Sequence, residues 1–268
     1  MSALRPGLVS VSFRKLTAAQ VATSAASAGL SCIEWGGDVH VPHGDLSVAS
    51  EVRKLTADHG MSVSAYGSYL RLGAPDGPDP LAVVETASEL GAPVIRVWAG
   101  TKGSAETSPE ERRQVEAAAI RTADLAAAAG LRVAYEYHGN TLTDTPDSAA
   151  CLLDATMHPA IQTFWQPPNE VEYSVALASI ERVLPRLGNI HAFHWKPTPR
   201  DRRPLADGGS EWLGYLGLAL TAGGQRDVLL EFLPQDDPEL LPREADTLKG
   251  LIARAENDFK VSGGDAFS

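Results

Sequence analysis

The stretch Ala123–His138, ADLAAAAGLRVAYEYH, holds one complete structural unit. An alanine-rich helical segment runs into Gly130, which stops it, and Arg132–Glu136 follows as a short β-prone run. The run ends on a glutamate, and its residues are too apolar for a strand with one wet face. A strand covered on both sides has this character. The same punctuation recurs outward in both directions. AGL, HGM, LGA and AGL precede the second, third, fourth and fifth strand candidates, at residues 28–30, 59–61, 90–92 and 129–131. Repetition of a helix–Gly–strand unit is the signature of a βα repeat.

Eight strand candidates result: Leu8–Ser12, Cys32–Trp35, Ser62–Tyr66, Val94–Trp98, Arg132–Glu136, Ile161–Trp165, Ile190–His194 and Val228–Phe232. Helical segments lie between them, among them Thr17–Ala28, Pro80–Leu90 and Pro109–Ala129. A Thr cap, N-terminal prolines and the glycines at 29, 91 and 130 mark their ends. Eight βα units fill 268 residues without remainder, so the expected fold is a single (β/α)₈ TIM barrel over residues 1–259. A flexible tail is expected over 260–268. A doubly wound open sheet fits less well, because SVSFRKLT after the first strand offers no glycine-rich phosphate turn.

Composition narrows the function. Hydrophobic residues make up 44% and charged residues 21%, as in ordinary globular proteins, and the net charge is −11. That sign argues against nucleic acid and anionic membranes as partners. No apolar run approaches the ~18 residues of a membrane span, and no secretory leader pattern opens the sequence. A cytoplasmic protein is expected. Cys32 and Cys151 have neither metal nor disulfide spacing and are expected to be reduced core thiols.

Barrel enzymes build their sites from the C-terminal ends of their strands. Those ends carry Glu34 and Trp35, Tyr66, Arg96 and Trp98, Glu136 and His138, Trp165 and Gln166, His191 and His194, and Glu231. A lone glutamate there is commonly a salt-bridge partner. Glu136, His194 and Glu231 differ, because three strands aim them at one mouth from apolar surroundings. Two carboxylates buried together need a cation, and these donors suit one divalent ion: Mn²⁺ first, with Mg²⁺, Co²⁺ or Zn²⁺ as alternatives. His191 and His194, three apart, project on opposite faces of a strand. His194 is assigned inward because Lys196 would share its face, leaving His191 as a structural histidine.

Trp35, Trp98, Trp165 and Trp195 fall at strand ends and read either as rim packing or as a wall for the C–H faces of a sugar. The second reading makes Trp35, Trp98 and Trp165 substrate contacts, together with His40, Tyr66, Arg96 and Lys196. The long loop 197–210 carries Arg200, Arg202 and Arg203 and reads as solvated surface or as a lid, with Asp207 and Trp212 anchoring its far end.

In order and spacing, GLSCIEWGGDVHVPHGD, AYGSYLRLG, RVAYEYHGNTLTDT, HAFHWK and VLLEF make the chain resemble the xylose isomerase-like TIM barrel superfamily, which includes sugar phosphate isomerases and epimerases. The resemblance spans nearly the whole chain. It implies a metal on residues from strands five to eight, here Glu136, Gln166, His194 and Glu231. This sequence departs from the pattern at Gln166, where the family has Asp, and at Asn169, where it has His. A neutral amide would leave the ion held less tightly but more acidic. The endonuclease members need a His-rich multinuclear site that is missing here. The resemblance further implies α-proton abstraction from a keto sugar through a metal-stabilised enediolate, with Glu136, Glu231 and His138 as acid–base residues. A lyase or dehydratase acting on keto-sugars or keto-glycosides is the alternative, and a non-catalytic sugar-binding barrel the third reading. The expected partner is a small sugar or sugar derivative, and a homo-oligomer is permitted.

Overall fold

The computed structural model describes residues 2–263. Eight parallel strands close into one barrel: β1 (Leu4–Val9), β2 (Cys32–Gly36), β3 (Ser62–Arg71), β4 (Val94–Trp98), β5 (Arg132–Glu136), β6 (Ile161–Trp165), β7 (Leu187–Ala192) and, last in the chain, β10 (Arg226–Leu230), which pairs with both β7 and β1. Outside it lie α1 (Ala18–Ser27), α2 (Leu46–Asp58), α3 (Pro80–Leu90), α4 (Pro109–Ala128), α5 (Pro146–Ala155), α6 (Tyr173–Val183), α7 (Gly209–Thr221) and α8 (Leu241–Val261). This is the expected (β/α)₈ barrel. Local signals fix several helix ends. Thr17 with Gln20 and Ser108 with Glu111 form reciprocal capping boxes, and Gly91 closes α3 in the left-handed conformation with φ 74°.

Four strands differ by more than one residue from those read in the sequence. β1 begins four residues early, because Pro6 and Gly7, poor strand formers, are held by pairing to β10 and β2. β7 likewise takes in Gly188 and Asn189 and ends at Ala192, two residues short of His194. β10 ends before Glu231 and Phe232, and β3 runs on to Arg71. The loop 197–210 is not irregular throughout. Its Arg202–Arg203 segment, β9, pairs antiparallel with His194–Trp195, β8, and a 3-10 turn at Leu205–Gly208 leads into α7.

Helix α8 continues through Val261, beyond the expected start of the tail, while residues 264–268 lie outside the described residues. Cys32 is buried, but Cys151 lies exposed on α5, so only the first is a core thiol. Among the described residues no helix is long and apolar enough to cross a membrane.

The main apolar core lies between barrel and helices; Trp35, Trp165, Trp212 and Tyr135 are among its largest buried side chains. The barrel interior is filled in levels. At its floor Arg5 Nε donates to Asp227 at 2.7 Å and Asn189 Nδ2 donates to Ser64 Oγ at 3.0 Å. Small apolar residues with one aromatic ring follow: Ala65, Val94, Ala134 and Phe164 in one cluster, Cys32 and Leu229 in another. Gly7 leaves the room they need. A Cβ there would lie 2.5 Å from Leu229 Cδ2, 2.6 Å from Cys32 Sγ and 2.7 Å from the Cys32 carbonyl oxygen. Gly7→Ala should therefore cost about 1–3 kcal/mol by overpacking. Urea unfolding of the variant checks this, and an unchanged midpoint would refute it.

Candidate active site

Above that apolar level the interior turns polar. Glu34 comes from β2, Arg96 from β4, Glu136 from β5, Gln166 from just past β6, His191 from β7 and Glu231 from just past β10. All six are buried. β3 contributes Gly67, and the reason is space: a Cβ would stand 2.7 Å from Arg96 Nη2 and 2.8 Å from Glu34 Oε1. The Arg96 guanidinium thus occupies the room that a β3 side chain would fill.

His191 joins the group. Its Nε2 lies 3.0 Å from Glu34 Oε2. Its Nδ1 lies 3.1 Å from Gln166 Oε1, 3.3 Å from Glu136 Oε1 and 3.5 Å from Glu231 Oε2. Arg96 Nε donates to Glu34 Oε1 at 2.6 Å, and its Nη1 donates to Glu136 Oε2, which also accepts from Trp98 Nε1. Burial opposes each of these charges, and their neighbours overcome it. Arg96 and His191 hold the Glu34 and Glu136 carboxyls below the ordinary carboxylate range. The carboxylates of Glu231, Glu34 and Glu136 hold the His191 imidazolium well above the ordinary histidine range.

Donor atoms of Glu136, His191 and Glu231 lie within 4.8 Å of one another, with the Gln166 amide oxygen beside them. Two carboxylates, one imidazole and one amide oxygen converging from four strands fit a single hard or borderline divalent cation. Glu34 takes the far nitrogen of His191, so Nδ1 is the nitrogen presented to the other donors. Carboxylates commonly orient metal-binding histidines in this way.

This corrects one assignment made from the sequence: His191, not His194, stands among the carboxylates. With β7 ending at Ala192, His194 lies on the β8–β9 hairpin. There its ring packs so closely over Gly208 that a Cβ would approach Nδ1 to 2.3 Å. It lines a separate cavity of about 280 Å³ with Trp195, Lys196 and Glu211. Lys196, between β8 and β9, is paired with Glu211 of α7 at 2.6 Å.

Several expected substrate contacts point elsewhere. Trp35 Nε1 donates to Thr56 Oγ1 in α2 at 3.0 Å, and Trp165 Nε1 donates to Ser179 Oγ in α6 at 2.9 Å. Both are core residues between barrel and helices. Tyr66 donates to the Val41 carbonyl at 2.8 Å, and both ring nitrogens of His40 are engaged, by Ser10 and by the Leu16 carbonyl. Trp98 does reach the mouth, its ring tilted by 36° against that of His138 with centres 4.7 Å apart. Arg96 is at the centre but is consumed by two carboxylates.

Of the lid arginines, Arg202 is paired with Asp236 and Arg203 Nε donates to the Lys196 carbonyl at 3.2 Å. Trp212 is buried and donates to the Phe193 carbonyl at 3.0 Å. Glu34 is the residue that reasoning from the sequence left without a role. Its signal was there: an acid inside the apolar run Cys32–Trp35, on a strand otherwise fully buried.

A divalent ion that takes the His191 imidazole must displace its proton, so affinity for such an ion, probed with Mn²⁺, should rise with pH, by close to tenfold per unit through neutrality. The carboxylates keep His191 protonated past the range of an ordinary histidine, so the rise should continue above pH 7. Calorimetric titrations at pH 6, 7 and 8 check this, and an affinity that levels off by pH 7 would contradict it.

The model of the family described as xylose isomerase-like TIM barrel matches residues 22–252. No curated protein matches the chain. Among solved structures the chain is similar to a probable 3-DHS dehydratase, AsbF, from Bacillus anthracis, at 19% identity and TM-score 0.76 over 93% of this chain and 99% of that one. It is also similar to D-psicose 3-epimerase from Clostridium cellulolyticum H10, at 16% identity and TM-score 0.70 over 92% and 98%. A xylose isomerase-like TIM barrel protein from Mycobacterium smegmatis, solved with magnesium, has 16% identity and TM-score 0.69 over 94% and 97%. At these identities the likeness is one of fold. The chain belongs to the xylose isomerase-like TIM barrel family.

Proposed function

We propose that the chain is a divalent-metal-dependent sugar isomerase or epimerase that removes the proton α to the carbonyl of a keto sugar. The observation that carries this reading is the convergence of Glu136, His191, Glu231 and Gln166 on one point at the barrel mouth. These four would hold the ion, Mn²⁺ foremost. When bound, it supplies Lewis-acid polarisation of a carbonyl.

The chain's own groups divide the proton work. Glu136 is a poor proton acceptor, since Arg96 and Trp98 both donate to its Oε2. Its task is to bind and orient. Among the described residues the only charged side chain paired with the Glu231 carboxylate is His191, at 3.5 Å, and no arginine or lysine holds it. It is the carboxylate free to take a proton. His138 stands two residues beyond Glu136, at the rim. Its Nδ1 donates to the Gly139 carbonyl at 2.6 Å, which leaves Nε2 as the nitrogen turned to proton transfer. Glu231 below and His138 above give proton-transfer groups at two positions around a bound substrate, as an epimerase requires.

The same pair supports a second reading. His138 could protonate a departing β-hydroxyl after Glu231 removes the α-proton, which would make the enzyme a dehydratase. Loss of water rather than inverted stereochemistry would identify it.

The Mn²⁺-loaded protein incubated with keto sugars in D₂O should place deuterium on carbon. Glu231→Gln should cut the exchange rate by about 10²–10⁴-fold while the variant stays folded. Undiminished exchange would remove Glu231 from the role, and no exchange by wild type with any keto sugar would leave a sugar-binding barrel.

A further inference from the structure

Four arginines touch the aromatic side chains around the mouth. Arg14 Cζ lies 5.6 Å from the centre of the Tyr69 ring, and Arg71 Cζ lies 4.2 Å from that of Trp98. Arg96 Cζ lies 5.3 Å from Tyr69, and Arg202 Cζ 4.5 Å from Phe232. Three of these charges are neutralised: Arg14 by Asp38, Arg96 by Glu34 and Glu136, Arg202 by Asp236. Arg71 has no acidic partner among the described residues. Its one side-chain hydrogen bond among the described residues runs from Nη1 to the Gly100 carbonyl at 3.3 Å. It is half-buried, and burial without a neighbouring acid works against its charge.

Its position gives that charge a direction. Arg71 is the register partner of Trp98 across the β3–β4 ladder, and the Trp98 indole donates to Glu136. One indole therefore lies between Arg71 and the metal-type donors. A guanidinium laid on an aromatic face keeps its in-plane N–H groups pointing outward, available to a ligand. The strand reaches this point through a deformation: the ladder shifts register between Gly67 and Arg71, and Tyr69 takes a left-handed backbone with φ 57°. A left-handed tyrosine is costly and persists where its surroundings hold it, which is common at ligand sites.

We propose that Arg71 binds a carboxylate of the substrate, so that the enzyme acts on a keto-sugar acid rather than on a neutral ketose. This rests on the α-proton chemistry proposed for the neighbouring donors. A single guanidinium matches a carboxylate in both charge and fork geometry. A phosphate carries more charge, and Lys102, on the loop after Trp98, is already paired with Glu111 at 2.5 Å. A neutral sugar would leave the Arg71 charge uncompensated.

The test is calorimetric titration of the full Mn²⁺-loaded chain with 5-keto-D-gluconate, D-fructose 6-phosphate and D-fructose. The wild type should bind the keto acid at least about tenfold more tightly than fructose. Arg71→Gln should erase that preference, and Arg71→Lys, which keeps the charge but loses the fork, should restore only part of it. Three outcomes overturn the carboxylate site: keto acid bound no more tightly than fructose, fructose 6-phosphate preferred over the keto acid, or a preference that survives in Arg71→Gln. The same mixtures in D₂O report proton removal separately. Exchange without an acid preference keeps the α-proton chemistry and sinks the carboxylate site, and an acid preference without exchange does the reverse.

Discussion

Three carboxylates buried at the top of one barrel would repel one another and the water-poor interior around them. Two cations between them make the arrangement tenable. Glu34 touches both: one oxygen accepts from Arg96, the other lies 3.0 Å from His191 Nε2. Arg96 then reaches on to Glu136, while His191 turns its remaining nitrogen toward Glu136, Glu231 and Gln166. The glycine at 67, the orientation of the imidazole and the low basicity of Glu136 all follow from this one network. Buried ion networks are weak evidence for stability, because desolvation offsets much of the attraction. Their value here is positional: they preset donors for a charge that the site can accept.

Most of the architecture was legible in the sequence because it depends on local signals. Apolar five-residue runs, capping residues and glycines at helix ends located β2, β4, β5 and β6 and the limits of α1, α3 and α4 to within a residue or so. The misplaced ends share a cause. β1 contains Pro6-Gly7 and β7 contains Gly188-Asn189, residues with low strand propensity that only pairing with neighbours keeps extended. Running β7 on to His194 let Lys196 argue for His194 as the inward histidine, whereas the strand ends at Ala192 and its inward histidine is His191.

The site itself was partly legible. Glu136 and Glu231 could be found because carboxylates at the ends of apolar strands are conspicuous. Glu34 could not be given its role, because that role is a contact with His191, 157 residues away in the chain. Tryptophans gave the poorest signal. Trp35 and Trp165 end strands as Trp98 does, but alternation puts the first two against helices and the third against Glu136. Arg71 was hidden for another reason: β3 continues past its expected end at Tyr66 only by a register shift that no local pattern announces.

The central claim is that a divalent ion takes the place of the proton that His191 shares with its carboxylates. Mn²⁺ titration of His191→Ala and His194→Ala alongside wild type tests it most directly. One ion per chain in wild type and in His194→Ala, with binding lost or weakened at least about a hundredfold in His191→Ala, is the predicted result. Binding that survives in His191→Ala but fails in His194→Ala would contradict it.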